Sequence, residues 1–253
     1  MELEPGMTAV VTGAASGIGR ALAETFAARK LAVVCADVDE AQLAAVVTEL
    51  RATGAEAEGI RCDIAVDEDV QRLRDATLQR FGAVEVLCNN AGVWTSASLA
   101  SDLDVAAWRR VIDVNVFGVL NGVASFLPLF LAQGRGHIVN TASRQGLIAT
   151  AGRGAYCASK AAVVSLSETL HKELEEGRSP VGVSVLCPGP VLSRMTPASF
   201  LATALPARDV AELVARAIEK RRLFVSTHRE TVDCIHEIAD QVEADADALG
   251  CLA

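Results

Sequence analysis

The chain reads as one α/β domain, a doubly wound parallel sheet of about seven strands with helices on both faces, and three observations predict it. Short β-branched runs alternate with longer helical patterns along most of the 253 residues. Several of these runs are apolar throughout, as strands covered on both faces must be. Residues suited to chemistry recur where the runs end, and ligands of open parallel sheets bind beyond the carboxyl ends of the strands. Strands are expected at 7–12, 31–36, 57–62, 84–89, 136–142, 181–187 and 222–227, with helices near 17–29, 39–52, 67–81, 104–132, 155–177 and 207–221. Right-handed crossovers connect such strands. No linker, charge block or Pro/Ser-rich stretch divides residues 1–253.

The first strand ends in TGAASGIG, Thr12 to Gly19, which opens a helix. Gly13, Gly17 and Gly19 permit a tight turn, room for a pyrophosphate and close packing of helix on sheet, while Ser16 and Ile18 share the helix start whose N–H groups favour phosphate. The spacing is G-x-x-x-G-x-G and so departs from the dinucleotide fingerprint G-x-G-x-x-G. Asp37 closes the second strand, 18 residues after Gly19. A carboxylate there accepts from the adenosine ribose hydroxyls and repels a 2′-phosphate, which predicts NAD in preference to NADP. Its plainer alternative is a helix N-cap, a role that Asp39 can also fill.

After the third strand come Asp63 and Ile64, the carboxylate being either an acceptor for the adenine amino group or a loop cap. The fourth strand runs into NNAG, where Asn90, Ala91 and Gly92 offer amide and backbone groups beside a cofactor. The segment 111–132 is long enough to span a bilayer, but Asp113, Asn115, Asn121, Ser125 and Pro128 interrupt it, so a buried helix of a soluble protein is expected. Gly118 and Gly122 would admit a close neighbour there, from this chain or from a second subunit.

Composition narrows the classes. Acidic residues outnumber basic ones 32 to 23, a net charge of −9, and the basic ones are scattered, which argues against a nucleic-acid partner. No positive n-region precedes an apolar stretch at the start, so a cytoplasmic location is expected. The seven cysteines contain no C-x-x-C pair and the four histidines no ligand-like spacing. Neither a disulfide framework nor a metal site is predicted.

The stretch Ser143 to Lys160, SRQGLIATAGRGAYCASK, carries the chemistry. Tyr156 and Lys160 stand at i and i+4 of a helix, which sets an ammonium beside a phenol. A nearby cation lowers a tyrosine pKa from its ordinary value of about 10 by roughly 1–3 units, bringing a general acid/base toward working pH. Ser143, at the end of the preceding strand, offers a hydroxyl to an oxygen whose charge changes during reaction.

With TGAASGIG, Asp63, NNAG, Asn115, Ser143, the Tyr156-to-Lys160 pair and PGPVLS at 188–193 in this order, the chain resembles the classical short-chain dehydrogenase/reductase family from Thr12 to about Phe224. The resemblance implies a Rossmann-type fold and interconversion of a secondary alcohol and a ketone by an NAD-dependent enzyme. It implies that Tyr156 exchanges a proton with the substrate oxygen, that Ser143 steadies this oxygen, and that Lys160 lowers the tyrosine pKa and holds the nicotinamide ribose. Asn115 would bind a water linking Lys160 to solvent, or serve as a satisfied core amide. Pro188 and Gly189 would close the pocket beneath the nicotinamide, Val191 would offer backbone to its carboxamide, and Ser193 stands where the family has threonine. An NAD-dependent isomerase or lyase and a regulatory NAD-binding module are the alternatives on this fold.

Trp94, Gln145, Leu147, Met195 and Phe200 are candidate walls of an apolar or aromatic substrate pocket, or ordinary core, and Arg144, Arg153 or Arg194 could meet a carboxylate. Residues 228–253 depart from the aspartate-glycine-glycine ending of many tetrameric members. Val232, Ile235, Ile238 and Val242 form a stripe at helical spacing, which predicts a packed acidic helix. A homodimer and a homotetramer both remain open.

Overall fold

Seven parallel strands form one sheet in the order β3-β2-β1-β4-β5-β6-β7. A computed structural model of the chain describes residues 1–95, 103–193 and 201–250. The strands are β1 (Thr8–Thr12), β2 (Ala32–Asp37), β3 (Ala57–Arg61), β4 (Val86–Asn89), β5 (His137–Thr141), β6 (Gly182–Cys187) and β7 (Phe224–Ser226). Between them run α1 (Gly17–Ala28), α2 (Glu40–Ala52), α3 (Asp67–Phe81), α4 (Val105–Ile112), α5 (Gly118–Gln133), α6 (Gly154–Glu176) and α7 (Ala207–Glu219), and α8 (Glu230–Leu249) follows β7. The expected doubly wound sheet is the observed one.

Alternation within the strands explains the two helical layers. Ala9 and Val11 of β1 pack with Val33 and Cys35 against α1, α2 and α7. Val10 between them packs with Val34 and Leu87 on the other face, against α3, α5 and α6. Burial on both faces requires a continuous apolar run, and all five residues of β1 are buried. The chain builds β1 to β3 outward, then returns to place β4 on the other side of β1, so the ends of β1 and β4 diverge at a topological switch point.

Three features differ from the sequence expectation or decide between its alternatives. The single helix expected at 104–132 is broken by a π-helical turn, Asp113–Phe117, in which the Gly118 N–H reaches the Asp113 carbonyl. A one-residue insertion leaves the apolar period nearly intact, so hydrophobic spacing does not reveal it. Gly118 and Gly122 admit neighbours from the same chain: an added Cβ would strike Ile64 at the first and Asn89 at the second.

Residues 228–253 do contain a helix, but the expectation that it packs is corrected. Only Thr231 of α8 is buried, and Ile235, Ile238 and Val242 lie in solvent. Helical spacing marks an apolar face; it supplies no partner surface. Val105–Gln133 is the one helical stretch among the described residues long and apolar enough to cross a membrane by length and composition. Its Phe126 and Phe130 are buried beneath the sheet, whereas Phe117, Leu120 and Leu131 are exposed. Six free cysteines lie among the described residues, five of them buried.

Candidate active site

Thr12 closes β1 with a side chain that organises the switch point. Its hydroxyl donates to the Cys88 carbonyl at 3.2 Å and accepts from the N–H groups of Asn90 and Ala91 at 2.9 and 3.1 Å. The Asn90 amide returns to the Thr12 carbonyl at 3.0 Å. Gly13 follows with φ of 66°, and a Cβ there would meet the Ala91 Cα at 2.8 Å. Both the left-handed backbone and the close approach require glycine. Gly19 packs against the Gly13 carbonyl and the Asn90 amide, leaving no room for a side chain.

Ser16 occupies the N-cap of α1, yet its side chain caps nothing, so the first N–H groups of the helix face the cleft without a side-chain acceptor. That is the arrangement a pyrophosphate satisfies. Asp37, at the end of β2, accepts from the Ala15 N–H and the Asp39 N–H, both at 3.0 Å, and thereby braces the glycine turn. Asp39, not Asp37, caps α2 through the Gln42 N–H at 3.1 Å. Each Asp37 oxygen carries a second lone pair for a ribose hydroxyl.

These residues open onto a cleft of about 300 Å³. Of the residues the sequence singles out, Gly13, Ser16, Gly17, Ile18, Asp37, Asp63, Ile64, Asn90, Ala91, Gly92, Tyr156, Lys160, Pro188 and Ser193 line it. Asp63 also accepts from the Ala65 N–H at 3.0 Å, so it caps its loop while facing the cleft. Gly19, Gly189 and Val191 are not among the residues that line the cleft. The Gly189 N–H donates to the Thr227 hydroxyl at 3.0 Å, and Val191 sits in an isolated bridge to Leu205. The segment after β6 closes over the glycine turn, with Ser193 Cβ 3.1 Å from where a Gly17 Cβ would be.

Lys160 is buried within α6 and its Nζ donates to the Thr141 carbonyl at 2.7 Å. Burial pushes its pKa down to about 8, opposed by the Cys187 thiol. The ammonium is 5.7 Å from the centroid of the Tyr156 ring. The Ser143 hydroxyl, which accepts from the Gln145 N–H at 3.1 Å, lies near enough to Tyr156 to help lower its pKa.

The phenol departs from expectation. Burial raises its pKa above the usual 10; the Ser143 hydrogen bond and the Arg153 charge pull it back, and the Cys157 thiol adds slightly to the rise. The Lys160 ammonium, 5.7 Å from the ring centroid, is oriented by the Thr141 carbonyl.

Asn115 lies in the π turn with its side chain satisfied by protein. It exchanges two hydrogen bonds of 2.8 Å with the Val93 backbone and donates to the Ser159 hydroxyl at 3.0 Å. A Cβ on Gly92 would come within 3.1 Å of Asn115 Oδ1 and 3.3 Å of Lys160 Nζ, so this glycine lets the loop pass close over both.

Of the substrate candidates, Leu147 packs against the buried Val119, Ala142 and Val163 cluster. Trp94 and Gln145 are brought together by Arg153, which lies over the indole at 5.2 Å and donates to Gln145 Oε1 at 3.3 Å. Arg144 gives its N–H to the Pro188 carbonyl at 2.9 Å. Met195, Arg194 and Phe200 fall outside the described residues. The sequence reading missed Val38, Val93, Arg110, Val114, Thr141 and Ala142 on the cleft wall. Thr141 and Ala142 directly precede Ser143, and Arg110 and Val114 share a helical face at i, i+4, so position relative to known residues was the available signal.

A family model described as short chain dehydrogenase matches residues 7–203. The solved structure of a short chain dehydrogenase/reductase from Burkholderia phymatum in complex with NAD is 40% identical, with a TM-score of 0.90 over 97% of this chain and 96% of that one. The SadH protein of Mycobacterium tuberculosis is 41% identical over 184 residues, 73% of this chain and 66% of that protein. A 1-deoxy-11-beta-hydroxypentalenate dehydrogenase of Streptomyces exfoliatus is 36% identical over 230 residues, 88% of this chain and 83% of that enzyme.

Proposed function

Because the chain belongs to the short-chain dehydrogenase family, a family of oxidoreductases, we propose that it interconverts a secondary alcohol and a ketone with NAD, using Tyr156 as general acid/base. One observation carries the reading. Tyr156 and the buried Lys160 line the same cleft as the glycine turn and Asp37.

The residues present fit the dinucleotide. The start of α1 and Gly13 suit the pyrophosphate, Asp37 the adenosine ribose, Asp63 and Ile64 the adenine, and Lys160, Pro188 and Ser193 the nicotinamide half. A dinucleotide held by these residues would supply the hydride acceptor for oxidation or the hydride donor for reduction. The protein handles the proton. Tyr156 takes it from the substrate hydroxyl during oxidation and gives it back during reduction, while Ser143 holds the same oxygen. The Lys160 ammonium sits below the phenol ring and is oriented by the Thr141 carbonyl. Trp94, partly exposed on the loop after β4 and next in sequence to the cleft-lining Val93, favours an apolar or aromatic substrate.

The test is absorbance at the reduced-nicotinamide band with a panel of secondary alcohols, run with NAD and again with NADP. Turnover with NAD is expected. Better use of NADP would overturn the Asp37 argument, and turnover without net change in the nicotinamide would point to an isomerase or lyase.

A further inference from the structure

The geometry points to Thr227 and His228 as positioning residues for the nicotinamide half of the site, fixing the Pro188–Gly189 peptide from the segment after β7; the inference rests on the NAD-dependent dehydrogenase reading above. Both polar groups of that peptide are engaged by protein. The Pro188 carbonyl accepts from the Arg144 N–H at 2.9 Å, in the turn that follows Ser143, and the Gly189 N–H donates to the Thr227 hydroxyl at 3.0 Å. A peptide unit is planar, and the proline ring already locks φ before it, so holding its oxygen and its N–H from two elements sets the plane. Pro188 lines the cleft, and Ser193 further along lies against Gly17. The parallel pairing of β6 with β7 makes the contact possible, because Cys187 lies opposite Ser226 and the next residues leave the sheet side by side.

His228 directs the threonine. Thr227 Oγ1 is 2.7 Å from His228 Nδ1. A hydroxyl that accepts from Gly189 gives its own proton to Nδ1, which leaves the ring proton on Nε2, 3.4 Å from the Thr203 carbonyl. The imidazole also occupies the space of a missing side chain, since a Cβ on Gly189 would lie 2.5 Å from Nδ1. Gly189 does not have the positive φ that demands glycine; the imidazole beside it does. The two stretches that the ring touches are themselves joined. Leu205 donates its N–H to the Pro190 carbonyl at 3.0 Å and accepts from the Leu192 N–H at 2.9 Å.

The test uses NAD and ADP-ribose, which lacks only the nicotinamide, each titrated by calorimetry into the full chain. Thr227→Val keeps the side-chain shape and removes the hydroxyl. It should bind NAD about tenfold more weakly, the order expected when a partly buried N–H loses its partner, and bind ADP-ribose as the parent does. Thr227→Ser should restore NAD binding. Hydrogen exchange at the Gly189 amide, measured without cofactor, should quicken in Thr227→Val and not in Thr227→Ser. His228→Ala, at a half-buried position, should show the same pattern and serves if Thr227→Val does not fold. Unchanged NAD affinity in the folded variants overturns the inference while leaving the dehydrogenase reading intact. An equal loss for NAD and ADP-ribose shows a structural role only, and overturns it too. Failure of the parent protein to bind NAD, by contrast, defeats the reading itself and the inference with it.

Discussion

Removing a single oxygen at Tyr156 separates binding from chemistry. Tyr156→Phe should bind NAD as tightly as the parent by calorimetric titration, because the glycine turn, Asp37 and Lys160 are untouched, yet lose at least about 10²-fold in turnover, the scale of general acid/base catalysis. Retained turnover would exclude the phenol as proton carrier. At this scale the sequence was legible where a residue's type and its chain neighbours suffice, as at Gly13, Asp37 and the Tyr156–Lys160 pair. It was not legible at Thr12 or Thr141, whose hydroxyl and carbonyl act only because β1, β4 and β5 lie side by side. The same limit explains Lys160: its i+4 spacing placed it near the phenol, but the carbonyl that engages it belongs to another strand.

Among the elements, α5 shows how tightly the site depends on its supports. Gly122 faces Asn89, whose amide donates to Asn140 Oδ1 at 2.9 Å, and Asn140 passes on to the Ser167 hydroxyl at 3.0 Å on α6. Gly122→Ala drives a methyl group into this buried chain of amides. Denaturant titration should show a loss of about 1–3 kcal/mol, the usual cost of overpacking a filled interior. The helix propensity gained by alanine, about 1 kcal/mol, does not offset a displaced amide network. For α8 the expectation is reversed. Ile238 is 44% exposed, so Ile238→Asp should leave the stability of the folded chain within about 0.5 kcal/mol. A larger loss would show that the stripe is covered after all. Helix position was legible in the sequence for α1 to α3, α6 and α7; the π turn within the fourth predicted helix was not, because one extra residue barely disturbs an apolar period.

On the scale of the whole molecule, the sheet buries an imidazole that water would normally charge. His137 at the start of β5 is fully buried, its Nε2 2.8 Å from the Ser184 hydroxyl, and burial pushes its pKa from 6.5 down to about 3, with the N-terminal amine and Arg221 adding to the fall. The unfolded chain binds that proton near pH 6.5 and the folded chain only near 3, so between these values the unfolded state holds more protons. Stability therefore falls as pH is lowered through this window, by about 1.4 kcal/mol per unit for the one proton. Melting temperatures measured between pH 6.5 and 5 should decline in the parent protein and decline less in His137→Phe. Equal slopes would assign the acid sensitivity elsewhere.

The sequence by itself determined the order of strands and helices along the chain, the glycine turn, the carboxylates at the strand ends and the pairing of Tyr156 with Lys160 on one helix. Each of these is a local property of side-chain period, backbone freedom or spacing along the chain. Only the tertiary structure decided which side chains line the cleft with the phenol, where the Lys160 ammonium points and whether α8 has a surface to cover it. Those outcomes depend on burial and on strands distant in sequence meeting in space. Desolvation and long-range contact have no one-dimensional pattern from which they can be read.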